Sequence, residues 1–181
     1  MLLDGTGDYL SVADSAAFIA GASDLTIDAH FYLTGSGENY VFSHGTDSDN
    51  YITIYVSSTG TAVAVVFVSG SGITLSSASG VFSTSTWVHI ALTRSGSTWR
   101  LFTDGTIRDT DTLAGSLPDF ANDLYIGENY AAAGSSAFEG NIDEVRYVIG
   151  KAAWTSNFTP PTAPYNDPDE TSSSSSSSSS P

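Results

Sequence analysis

The chain has 181 residues, 40% of them hydrophobic and 12% aromatic, which is enough for one cored domain and too much for a disordered chain. With 20 acidic residues against 5 basic, the formal net charge is −15. The cations Arg94, Arg100, Arg108, Arg146 and Lys151 stand singly, so partners that need clustered cations, nucleic acid and anionic membranes, are excluded. No cysteine is present, which removes disulfides, thiolate metal sites and thiol nucleophiles.

In chain order, Met1 to Gly5 lacks the charged and apolar regions of a signal peptide. Asp14 to Ala22 suits a short helical turn capped by Asp14 or Ser15. Leu25, Ile27, Ala29, Phe31 and Leu33 then alternate with polar residues, the period of a half-buried strand. Ile52, Ile54 and Val56 alternate with Tyr51, Thr53 and Tyr55, and Val63 to Val68 is a β-branched run of the kind found in central strands. Val88, Ile90 and Leu92 form the next strand, followed by Trp99 to Thr103. Asp104-Gly105 is a two-residue hairpin signal leading into Thr106 to Asp111. Leu124 and Ile126, Ile142, and Val145 to Ile149 supply the last strands. No apolar run is long enough to cross a bilayer as a helix. The fold class is therefore all-β, a two-sheet antiparallel β-sandwich of about twelve strands. The domain is expected over residues 1–165, with residues 166–181, including the serine run Ser172 to Ser180, as a flexible linker toward neighbouring domains of a larger chain.

Three segments resemble the laminin-G-like, concanavalin-like jelly rolls. Leu3-Asp4-Gly5-Thr6-Gly7-Asp8-Tyr9-Leu10-Ser11-Val12 is similar to the opening strand and turn of that family. Trp87 to Arg94 with Leu101 to Gly105 is similar to its central hairpin, and Phe138 to Arg146 to its closing strand. The ending from Trp154 to Pro164 resembles versions found in phage structural and tail-associated proteins. The resemblance implies a concanavalin-like jelly roll, sugar or surface-ligand binding, and in many members a structural calcium.

Glucanases of this fold place catalytic carboxylates at alternate strand positions, so that they share a face. Two residues from Asp143 lie Asn141 and Val145, and strict alternation sends Glu144 to the opposite face. Asp143 is then without a carboxylate partner, and an enzyme is not expected. No Gly-x-Ser-x-Gly elbow is present. His30, His44 and His89 lack zinc-site spacing. Calcium takes carboxylate and carbonyl oxygens. Asp4, Gly5 and Asp143, with a carbonyl from Gly45, are the expected ligands, because the family likeness brings the two chain ends together.

Sugar binding needs aromatic rings beside amides and carboxylates. Tyr40, Tyr51, Tyr55, Tyr125 and Tyr130 are the candidate rings. Tyr130 with Asn129 leads, because the small neighbours Ala131, Ala132, Ala133 and Gly134 leave its ring open. The loop with Asp47, Asp49, Asn50 and Tyr51 stands second. Trp87 and Trp154 are expected in the core or its closure. The function expected is a non-catalytic recognition module binding a glycan or host-surface polysaccharide, extracellular or on a virion surface. The alternatives are a structural spacer domain of a fibre and, last, a glycan hydrolase.

Overall fold

The computed structural model describes residues 1–82, 84–132 and 136–165. The expected linker, 166–181, and Ala133 and Gly134 lie outside the described residues. Twelve strands are present among the described residues: β1 (Leu2–Asp4), β2 (Leu10–Val12), β3 (Leu25–Leu33), β4 (Asn39–Asp47), β5 (Asn50–Val56), β6 (Ala62–Val68), β7 (Ser71–Ser76), β8 (Trp87–Ser95), β9 (Thr98–Thr103), β10 (Thr106–Thr112), β11 (Leu124–Ile126) and β12 (Glu139–Ile149). They form two six-stranded sheets, ordered β1-β12-β3-β8-β9-β10 and β2-β11-β4-β5-β6-β7, with every pairing antiparallel. The first is called here the strapped sheet and the second the open sheet.

The alternating runs behave as the period of two requires. Ile27 and Phe31 of β3, Ile52 and Ile54 of β5, Ile90 and Leu92 of β8 and Trp99 and Leu101 of β9 meet between the sheets, essentially without solvent exposure. Asp104 (φ 46°) and Gly105 (φ 71°) form the β9–β10 turn with both residues left-handed, as a two-residue hairpin requires. Ser15 caps a 3₁₀ turn over Ala16–Phe18 and accepts from the Ala17 amide. The β4 strand carries no clean alternation because its register with β5 slips twice, between Tyr40 and Phe42 and between Gly45 and Asp47. Each bulge reverses the inside–outside order and hides the period.

A segment after β12 straps the outer face of the first sheet. Thr26 and Thr93, paired across β3 and β8, hold it: Thr26 Oγ1 donates to the Lys151 carbonyl and Thr93 Oγ1 to the Trp154 carbonyl. Trp154 and Phe158 stack at 3.9 Å between centroids, and both rings lie edge-on to His89. The strap seals Asp28, whose side chain is wholly buried. Asp28 Oδ1 accepts from Arg146 Nε at 2.9 Å, and Oδ2 is 3.2 Å from His89 Nε2 and accepts from the Tyr165 hydroxyl. The Arg146 guanidinium lies 3.9 Å above the Tyr165 ring. A buried carboxylate stripped of water is tolerable only when its oxygens are satisfied in this way.

Asp28→Ala should therefore cost about 3 kcal/mol, because it leaves the half-buried Arg146 guanidinium, the buried His89 imidazole and the Tyr165 hydroxyl without their shared partner. Exposed Asp143→Ala should stay within about 0.5 kcal/mol. Urea unfolding of the two variants separates them, and equal losses would show that the Asp28 network contributes nothing. A second prediction concerns acid. Burial lowers the pKa of His44 and of His30 below the ordinary 6.5. His44 is packed edge-on to Phe120 at 5.0 Å, with Nε2 donating to the Asn122 carbonyl. The unfolded chain then binds more protons just below pH 6.5, so stability falls as pH drops through that value toward the folded pKa. Melting temperature measured against pH should show this slope, and His44→Gln should make it shallower, leaving the part that His30 contributes.

Candidate functional site

The outer face of the open sheet is organised in three cross-strand rows. Gly45, Tyr51 and Phe67 are register partners on β4, β5 and β6. Next come Ser43, Thr53 and Val65, and then Tyr40, Tyr55 and Val63. Side chains on one strand face repeat every second residue, so the small middle row forms a floor between two aromatic rows. Tyr130 joins the first row from the loop after β11. Its amide donates to Ser43 Oγ at 2.7 Å and its hydroxyl to the Asp47 carbonyl at 2.7 Å, which lays the ring over Gly45. A Cβ on Gly45 would sit 2.8 Å from Tyr130 Cζ and 2.6 Å from Tyr51 Cβ.

The result is a cleft of about 450 Å³. Thr53 and Val65 floor it, and Tyr40, Tyr51, Tyr55 and Tyr130 wall it. Asn129 and Ala131 stand at the loop side, and Thr46, Asp47, Ser48 and Asn122 continue it past the first row. Four of the five candidate tyrosines converge here. Tyr125 instead packs against Tyr9 at 5.5 Å, on the neighbouring strand β11. The rings are stacked on one another: Tyr51 on Phe67 at 5.2 Å, Tyr51 against Tyr130 at 5.8 Å, and Tyr40 on Tyr55 at 4.9 Å. Tyr51 thus has a ring on each side and offers the cleft its edge and hydroxyl. Burial raises the pKa of all four, Tyr40 and Tyr130 to about 12, so their hydroxyls remain protonated donors at neutral pH.

The expectation that Tyr130 stands in the open is corrected. The ring is half-buried, seated over Gly45 and flanked by Tyr51. Asp47 lines the cleft, while Oδ1 of its carboxylate also holds the Asp49 amide and the Asn50 side chain. Asp49 lies in that turn without lining the cleft, and Asn50 Oδ1 accepts from the Ser69 amide. Thr53 and Val65 were missed by sequence reasoning. Both stand next to named residues on alternating strands, but their role as floor depends on strand pairing.

The expected calcium ligands are held apart. Asp4 pairs with Glu139 and Asp143 with His30, four residues further along β12, a separation of about 13 Å at strand rise. Gly45 belongs to the other sheet, where its role is to admit Tyr130. Asp4 Oδ1 accepts from the Thr6 amide and Asp143 Oδ1 from the Glu144 amide, as turn and bulge carboxylates do. Among the described residues no group of three or more His, Asp or Glu is placed to hold a metal ion. These four residues do not fit a calcium cage.

A second correction concerns β12. Register slips between Asp143 and Arg146, and Glu144 takes a left-handed φ of 51°. The bulge defeats strict alternation, so Asp143 and Glu144 line the same small cleft of about 330 Å³, with His30, Trp87 and Pro161 to Pro164. Trp87 is 53% exposed there, not in the core. Glu144 Oε2 is engaged by the Tyr165 amide. Trp154 closes the strap as expected, although over the outer face of a sheet.

This sandwich with loop-edged outer faces is a lectin-type architecture. The chain belongs to the concanavalin A-like lectin/glucanases superfamily, whose laminin-G family model matches residues 4–155. Among solved structures it is similar to mouse laminin α1 domains LG4-5, at 16% identity and TM-score 0.66, covering 92% of this chain and 46% of that one; the chain thus spans about half the length of that fragment. It is also similar to the Ruminococcus gnavus IT-sialidase CBM40, at 13% identity and TM-score 0.66, covering 82% and 92%. Domain 4 of AbnA, a GH43 extracellular arabinanase from Geobacillus stearothermophilus in complex with arabinotriose, matches at 15% identity and TM-score 0.64, covering 82% and 70%. At these identities the likeness is one of fold. No curated protein sequence matches the chain.

Gly45→Ala should force Tyr130 off its seat and cost about 1–3 kcal/mol, as overpacking does. Tyr130→Phe should lose only the hydrogen bond to Asp47, about 1 kcal/mol. Thermal melts with near-ultraviolet circular dichroism compare them, and a Gly45→Ala protein with unchanged melt and tyrosine signal would contradict this packing.

Proposed function

We propose that this chain is a non-catalytic carbohydrate-binding module that takes its ligand in the tyrosine cleft of the open sheet. The observation that carries the reading is the pair of aromatic rows flanking a small-residue floor, with phenol hydroxyls, the Asn129 and Asn122 amides and Asp47 around the rim. Sugars need this mixture: apolar ring surface for their C–H faces and short polar groups for their hydroxyls. Among the described residues Asp47 is the one carboxylate lining the cleft, whereas glycoside hydrolysis uses a pair across the scissile bond. The likeness to carbohydrate-binding domains such as CBM40 supports the same reading. In the fuller form of the proposal the module is one domain of a larger extracellular or virion-surface chain and meets a host-surface polysaccharide. The resemblance of residues 154–164 to phage tail-associated proteins supports that setting.

The test is a glycan array followed by calorimetry on soluble arabinan, xylan, mannan and β-glucan. Val65→Trp fills the floor, and Tyr55→Ala removes a half-buried wall. Each should weaken binding about tenfold or more, the equivalent of 1.4 kcal/mol, while the protein still melts cooperatively as a folded domain. Undiminished binding by both folded variants would move the site elsewhere. Release of reducing sugar by the wild type would overturn the non-catalytic reading.

A further inference from the structure

We infer that the cleft selects a neutral oligosaccharide and rejects sialylated and uronic-acid glycans; this rests on the carbohydrate-binding reading above. The distribution of charge carries it. The chain has five basic side chains, and all five belong to the strapped sheet or its strap: Arg94 on β8, Arg100 on β9, Arg108 on β10, Arg146 on β12 and Lys151 just after it. The open sheet has none, and among the described residues none that lines the cleft is basic. Three of the cations are also engaged where they stand: Arg94 with the carbonyls of Gly21, Gly96 and Gly115, Arg108 with Thr103 Oγ1, and Arg146 with Asp28.

A glycan carboxylate entering this cleft would meet Asp47 and the tyrosine hydroxyls. It would find no guanidinium or ammonium group to replace its hydration. It would also approach a molecule of net charge −15, whose field lowers the local concentration of anions. Neutral hydroxyl-rich chains suffer neither penalty and find donors and acceptors in the phenols and in Asn129.

Length follows from the rows. Tyr51 and Tyr55 stand on one face of β5, four residues apart, so the two aromatic rows are about 13 Å apart along the strand. One sugar ring cannot touch both, and Asp47 and Ser48 extend the polar rim beyond the first row. The occupant that uses the whole cleft is an oligosaccharide or an internal stretch of polysaccharide.

The experiment is an array carrying neutral oligosaccharides from one to four sugars beside the same chains bearing a terminal sialic or uronic acid, probed with wild type, Ala131→Arg and Tyr55→Ala. Ala131 is exposed at the rim, so an arginine there adds the missing cation without touching the core. Neutral three- and four-sugar chains should bind best. Their acidic counterparts should bind about tenfold or more weakly, the loss expected when a charged group lacks a partner, and Ala131→Arg should recover them. Acidic chains bound by the wild type as tightly as neutral ones, or single sugars bound as tightly as four, would overturn the inference. Failure of Ala131→Arg to recover acidic chains would overturn its stated cause. Binding of no glycan at all, or equal binding by Tyr55→Ala, would instead overturn the carbohydrate reading beneath it.

Discussion

The molecule depends on one buried carboxylate. Asp28 sits at the centre of the strapped sheet, on a strand flanked by β12 and β8, and binds a cation from one neighbour and an imidazole from the other. The third partner, Tyr165, comes from the far end of the strap. Each partner alone would be a costly polar group in a dry place, and together they satisfy one another. Burial and the bond to Asp28 keep the Tyr165 phenol protonated by raising its pKa, so the hydroxyl stays a donor. The strap is thereby held at both ends, by the threonine pair near Lys151 and by Asp28 near Tyr165.

This anchoring divides the two outer faces. The strapped face spends its aromatic residues on closure, with Trp154, Phe158 and Tyr165 laid over His89, Phe102 and Arg146. Among the described residues the open face has no such cover, and its aromatic residues stack on each other across strands. Stacking keeps them upright, because each ring is fixed by its neighbour and Tyr130 is also fixed by its hydroxyl. For the proposed ligand, rings already held in place by one another would lower the ordering cost of association.

Charge follows the same division. On one side of the sandwich Arg94, Arg108 and Arg146 serve structure, as hydrogen-bond donors to carbonyls, to Thr103 and to Asp28. The other side is left acidic and neutral in its side chains. The lack of a basic side chain lining the tyrosine cleft, among the described residues, thus follows from where the few arginines stand.

Much of the fold was legible from residues alone. Period-two runs in β3, β5 and β8 dictate which side chains point inward, because alternation is a property of the extended backbone itself. Asp104-Gly105 dictates a hairpin, because both residues tolerate positive φ. The face shared by Tyr51, Thr53 and Tyr55 is legible for the same reason. Tertiary structure decided what depends on pairing and on broken alternation. The seat of Tyr130 exists because Gly45 falls opposite Tyr51, a matter of register between strands. The joint facing of Asp143 and Glu144 exists because a bulge adds a residue where alternation forbids it. The separation of Asp4, Gly45 and Asp143 follows from sheet assignment and strand offset, and neither is written in local pattern. Asp28 reads locally as one more polar residue on an outward face. It became the anchor of the strap because a segment more than a hundred residues later folds back over it, and no local period encodes that return.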